Sequence, residues 1–193
     1  KLRALCREHG VREELADKAL SRISGKQNCF AAVVFDKWQA ELAPDAPHVV
    51  LHHPMDEGNL GTIQRTLLGL GVRDIAVIRP AADVFAPKVV RATMGAIFSL
   101  RVKQYDDFAA YRAEHPSHAL YPFMLDGSVL LEEATRAVQR PYALVFGNEG
   151  AGLPPEFARM GKAVRIPHSN EIDSLNLSVA VAIGAYAFCH AEP

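Results

Sequence analysis

HVVLHHPMDEGNLGTIQRTLLGLGVRDIAVI, residues 48–78, is the stretch that decides the fold. An apolar run at 48–52 gives way to a polar loop with glycines, a helical pattern follows near 60–69, and a second apolar run fills 74–78. The same alternation extends toward the carboxy terminus. Apolar runs at 98–102, 118–125, 142–147 and 163–167 read as strands, and helical patterns fall near 87–95, 106–114, 129–138, 154–160 and 174–190. Short buried strands interleaved with helices imply an α/β fold, a mostly parallel sheet flanked by helices on both faces. Ligands of such sheets bind beyond the carboxyl ends of the strands.

Working toward the amino terminus, residues 1–28 carry a loose helical stripe that stops at Ser24-Gly25, and FAAVVF at 30–35 reads as a strand. The polar, proline-containing ELAPDAP at 41–47 is the best linker in the chain. We therefore expect an amino-terminal RNA-binding or linker segment over 1–44 and the main domain over 45–193. A chain beginning at Lys1 without Met reads as the remainder of a larger amino-terminal domain.

Composition narrows the classes. A chain of 193 residues that is 49% hydrophobic can bury one substantial core. No run approaches the roughly 20 apolar residues of a membrane span. The basic first dozen residues lack a signal-peptide core, so the expected location is the cytoplasm with no membrane association. Cys6, Cys29 and Cys189 have no metal-like spacing and read as free thiols, so no metal is expected. Net charge is −1, yet residues 65–103 hold seven basic groups against Asp74 and Asp83, a local +5 that a phosphate backbone would meet.

Three stretches at strand-to-helix transitions carry chemistry. In the first, Asn59 and Arg65 stand in an N-x-G-x-x-x-R pattern, which alone reads as a helix cap and a surface arginine. The second, VFGNEGAGLPP at 145–155, is a glycine loop that meets neither phosphate-binding pattern. Its Glu149 would repel polyphosphate. In the third, Ile166-Pro167 ends a strand and Ser174-Leu175-Asn176 opens a helix, with Ser174 the candidate cap. That helix is apolar almost all the way round, which points to burial on all sides and a homodimer. His52 and His53, beside the first stretch, read as loop residues facing solvent, with contact to RNA the alternative.

In order and spacing these stretches resemble the three motifs of the SpoU/TrmH branch of the SPOUT RNA methyltransferases, over roughly 47–190, and KVVRATMGAIF at 88–98 resembles the segment after the first motif. The resemblance implies a carboxy-terminal trefoil knot and transfer of a methyl group from S-adenosylmethionine to a ribose 2′-hydroxyl of rRNA or tRNA. It implies a cofactor site of Leu125, Asp126, Gly127, Phe146, Gly147, Asn148, Gly150, Ile166, Pro167, Ser174 and Leu175, with Gly147, Ile166 and Leu175 giving the main backbone contacts. Asn59, Arg65, Glu149, Ser174 and Asn176 would form the catalytic group, Arg65 acting across a dimer interface, and Arg65, Lys88 and Arg91 would meet RNA. Glu149 could help position the cationic donor or the arginine. His168 stands where the family commonly has Met, and Asn170 where Gly is common. The rival readings are a base-methylating SPOUT enzyme and a catalytically silent RNA-binding or assembly factor.

Overall fold

The computed structural model describes residues 1–24 and 29–191, and its contacts divide the chain into two compact units, Lys1–Lys37 and Trp38–Pro193. In the smaller unit the single expected helix is two, α1 (Leu2–Glu8) and α2 (Asp17–Ile23). Gly10, at φ +64°, ends α1: Gly10 N–H donates to Arg7 O (3.3 Å) and Val11 N–H to Cys6 O (2.8 Å), the paired bonds of a Schellman cap. The expected stop at Gly25 and the end of the helical stretch, 25–28, lie outside the described residues. Residues 30–35 form no strand: Val33 and Val34 are 76% and 93% exposed, and the run has no ladder neighbour among the described residues.

The larger unit is built on β1 (His48–His52), β2 (Asp74–Ile78), β3 (Arg101–Tyr105), β4 (Ala119–Pro122) and β6 (Tyr142–Phe146), all parallel, in the order β3-β2-β1-β6-β4. Every residue of β1, β2 and β6 is buried, as an unbroken apolar run in a covered parallel sheet demands. Alternate residues feed two cores. Val49 and Leu51 pack with α3 (Glu57–Gly69) and α7 (Leu177–Cys189); Val50 packs on the other face with Tyr111 of α5 (Phe108–Glu114) and with Phe157. A short parallel pair, β5 (Val129–Leu130) with β7 (Val164–Arg165), lies apart from the main sheet.

Several boundaries move for identifiable reasons. The third strand is 101–105 rather than 98–102: Gly95 turns the chain at φ +89°, Ala96–Ser99 form a 3-10 turn, and Arg101 registers opposite Asp74. There Arg101 Nε donates to Asp74 Oδ1 at 2.6 Å, a charge-assisted bond that fixes the register. The expected strand 118–125 stops at Pro122, after which Phe123 bridges to Val164 outside the sheet. Residues 129–138 are not one helix but β5, α6 (Leu131–Ala134) and a 3-10 turn at Thr135–Ala137, because Val129 N–H pairs with Ala163 O. Pro155–Arg159 is a 3-10 turn, and α4 is Pro87–Ala92.

The proline-containing stretch 41–47 belongs to the larger unit. Leu42 is buried, and Ala43 N–H donates to Asp74 Oδ1 at 2.8 Å. The sheet's carboxyl edge presents the loops that matter for function.

Candidate active site

Chain order reverses at β1, which has β2 on one side and β6 on the other, and such a switch point opens a crevice beyond the strand ends. Two loops meet there. Leaving β1, the chain passes through His53 at φ +58° and reaches Asp56, whose Oδ1 accepts the Asn59 N–H at 2.6 Å and caps α3. Leaving β6, it closes a tight ring. Asn148 and Gly152 exchange two backbone bonds (3.1 and 2.9 Å), and Asn148 Oδ1 accepts the N–H groups of Gly150 (2.9 Å) and Ala151 (3.1 Å).

Gly147 explains how the ring closes. A Cβ there would sit 2.1 Å from Gly152 C and 2.3 Å from Leu153 N, so the loop's own backbone requires the glycine. Its φ is not positive; that conformation belongs to Gly152, at +68°.

The two loops are bonded to each other. Asn148 Nδ2 donates to His53 O at 2.8 Å, and Glu149 accepts from Met55 N–H through Oε2 and Asp56 N–H through Oε1, both at 3.1 Å. Asn59 Nδ2 lies 3.5 Å from Glu149 Oε1. Within the chain, then, the Glu149 carboxylate is turned onto the first loop's backbone. The third loop joins through Asn176, whose Nδ2 donates to Asn59 Oδ1 at 3.0 Å. Asn176 Oδ1 accepts Ser178 N–H at 2.9 Å, which makes Asn176, not Ser174, the cap of α7.

These loops border a cleft of about 460 Å³. Its floor is apolar: Phe123 stacks on Phe146 (centroids 4.3 Å apart, planes at 18°), with Leu177, Ala180 and Val164 beside them. Gly184 of α7 lets Phe123 in, since a Cβ there would lie 2.7 Å from the ring. The rim is backbone and polar groups, including Asp126, Asp173, Ser174 and His168, whose Nδ1–H donates to Ile166 O at 3.0 Å.

Of the expected cofactor residues, Leu125, Asp126, Phe146, Gly147, Asn148, Gly150, Ile166, Ser174 and Leu175 line the cleft, as does Glu149. Gly127 packs under it instead, with no room for a Cβ against the Val164 carbonyl (2.7 Å), and Pro167 lines an adjoining groove. Asn59 and Asn176 meet behind the rim. Arg65 is the exception. Six residues beyond Asn59 it lies about 9 Å farther along α3 and turned well away, and it is exposed, with no hydrogen bond or ion pair among the described residues. Lys88 and Arg91 are exposed on α4, three apart and so on one face.

Sequence reading missed Asp56, the backbone of Met55, and the floor residues Phe123 and Leu177. It also misplaced His52, which ends β1 buried, 9% exposed, stacked on His53 and edge-on to Phe157. Strand alternation could have flagged His52. Nothing local could have shown that the backbone at 55–56 holds a carboxylate from residue 149.

The sequence profile of the SpoU rRNA Methylase family matches residues 46–186. An uncharacterized tRNA/rRNA methyltransferase of Synechocystis is 31% identical over 166 residues, covering 81% of this chain and 58% of that protein, so the chain spans little more than half of this relative. A structure solved to explain 2-OH methylation of C/U34 on tRNA superposes with a TM-score of 0.69 at 31% identity, over 76% of this chain and 95% of that one. The AdoMet-bound rRNA methyltransferase from Sinorhizobium meliloti gives 0.72 at 30% identity, over 89% and 69%. With its parallel sheet, its three bonded loops and a match across most of its length, this chain belongs to the SpoU rRNA methylase family.

Proposed function

We propose that the protein transfers a methyl group from S-adenosylmethionine to a ribose 2′-hydroxyl of rRNA or tRNA. The observation that carries this is the cleft at the β1/β6 switch point, bordered by all three motif loops, which Glu149, Asn59 and Asn176 bond together. Its volume suits a nucleoside-sized ligand. The apolar floor of Phe123, Phe146 and Leu177 fits a base, the polar rim of the loops fits its polar edge, and Asp126 and Asp173 suit a cationic donor. When bound, the cofactor supplies an electrophilic methyl on a sulfonium centre. The chain's own residues hold it, exclude water from it and align the acceptor.

Arg65 completes the site from a second copy of the chain in this reading. Two observations support a homodimer. Arg65 is exposed and does not line its own cleft, and Val179, Ile183 and Tyr186 of α7 are 47%, 37% and 57% exposed, an apolar face on a helix otherwise buried. A guanidinium keeps its proton, so Arg65 stabilises the developing alkoxide or orients a neighbouring phosphate rather than acting as base. Arg65, Lys88 and Arg91 form the phosphate-binding surface, the 1–44 segment recruits the RNA, and the 166–176 segment threads the knot. We place the enzyme in the cytoplasm; among the described residues no helix is long and apolar enough to cross a membrane.

The test is a single 2′-deoxy substitution at the target nucleotide. Methylation should stop while binding barely changes, because affinity resides in phosphate contacts. Transfer to the deoxy substrate would establish base methylation, and no transfer to any RNA by a cofactor-bound protein would favour a silent binding factor.

A further inference from the structure

At the amino-terminal end of the sheet, opposite the cleft, three buried histidines converge: His48 opening β1, His115 ending α5, and His118 just before β4. One ring nitrogen from each lies within 4.8 Å of the others. His48 Nε2–H donates to Ala43 O at 2.8 Å and His118 Nε2–H to Ala46 O at 3.0 Å. Carbonyls only accept, so both rings carry the proton on Nε2 and leave Nδ1 unprotonated. The Tyr111 hydroxyl donates to His48 Nδ1 at 3.0 Å, whereas His118 Nδ1 is buried with no partner. His118, anchored through Nε2–H to a backbone carbonyl with its Nδ1 buried and unpartnered among the described residues, is in the state a metal ligand requires.

We propose that His48, His115 and His118 form a site for a divalent transition metal, Zn²⁺ by donor chemistry, with a water as fourth ligand and the Tyr111 hydroxyl released from His48 Nδ1. Asp74 is engaged with Arg101 and the Ala43 N–H; Glu114 is engaged with Lys103, its Oε1 lying 3.6 Å from His115 Nε2, which also meets the Tyr105 hydroxyl at 3.1 Å. A donor set of neutral imidazoles without free carboxylates selects zinc-like ions over Mg²⁺ or Ca²⁺. Zn–N bonds of about 2.0–2.1 Å put tetrahedral nitrogens roughly 3.4 Å apart, so binding must turn the rings inward. The stacked pair His48 and His118, centroids 4.0 Å apart at 27°, would unstack to do so. The ion would pin the 43–46 segment to the starts of β1 and β4, far from the chemistry.

The experiment titrates the whole chain, stripped with chelator, with Co²⁺ followed optically and displaced by Zn²⁺. The expected result is one equivalent per chain, intense visible bands of tetrahedral Co²⁺, and a raised Tm with Zn²⁺. His118→Asn and His115→Gln should each weaken binding by more than about a hundredfold, beyond the usual effect of altering a supporting group, while the exposed His190→Asn should leave it unchanged. No Co²⁺ uptake by the folded wild-type chain, pale octahedral bands, or equal affinity in His118→Asn would overturn the site and leave packed neutral histidines. Because the wild-type titration stands alone, a variant that fails to fold does not rescue the proposal.

Discussion

Asn176 Nδ2 donates to Asn59 Oδ1 at 3.0 Å, joining two side chains 117 residues apart in sequence, Asn176 the cap of α7 and Asn59 bonded through its N–H to the cap of α3. Asn59 in turn reaches Glu149, so three chain segments share one polar chain. Asn59→Ala and Asn176→Ala should therefore be non-additive, with a coupling of about 1 kcal/mol in a double-mutant cycle read by urea unfolding. Additive effects would show that the contact contributes nothing.

Gly147→Ala, the smallest possible change, should abolish binding of S-adenosylhomocysteine in calorimetry. The added methyl collides with the Gly152 and Leu153 backbone, so the ring 147–152 must open and the bonds linking Glu149 to the first loop are lost. Normal affinity in the variant would mean that the loop tolerates a rearrangement its own bonds oppose.

Gln64 is fully buried in α3, and neither its Nε2 nor its Oε1 has a partner. An unsatisfied buried amide costs about 1–3 kcal/mol, and an apolar replacement of the same shape removes that cost. Gln64→Met should raise stability by about 1 kcal/mol in chemical denaturation, with no change in donor affinity. Destabilisation would mean that the amide has a partner, such as a bound water.

His52 is held neutral: burial, then the neighbouring His53, lowers its pKa to about 4. The unfolded chain binds the proton near pH 6.5, so the native state loses stability as pH falls from about 6.5 toward 4, and none is lost above that window. His52→Phe keeps the stacking with His53 and Phe157. Relative to it, the wild type should lose up to roughly 3 kcal/mol between pH 7 and pH 4 in urea titrations. Parallel pH profiles for the two proteins would contradict this.

Arg65→Ala should leave donor affinity nearly unchanged and slow methyl transfer by about two orders of magnitude, as expected for a group that acts in the transition state. Mixed dimers of Arg65→Ala with Gly147→Ala subunits test the shared site. One intact cleft then faces one intact Arg65, and partial activity should return. A fully inactive mixture would place Arg65 in the service of its own cleft.

Local pattern determined a good deal of this molecule. A strand covered on both faces must be apolar throughout, so 48–52, 74–78 and 142–146 were legible directly, and the alternation of runs and helices carried the parallel sheet. The three motif stretches were legible because glycine, proline and capping residues mark where a strand hands over to a helix. Long-range partners decided the rest. Residues 30–35 have strand composition but no ladder neighbour, and 129–130 became a strand only because 163–165 arrived beside it. Only the assembled loops turn Glu149 onto the backbone of 55–56, and only the helical twist of α3 carries Arg65 away from the cleft that Asn59 borders. His48 is remote in sequence from His115 and His118; the sheet brings them together because the starts of the parallel strands β1 and β4, with β6 between them, lie at one edge.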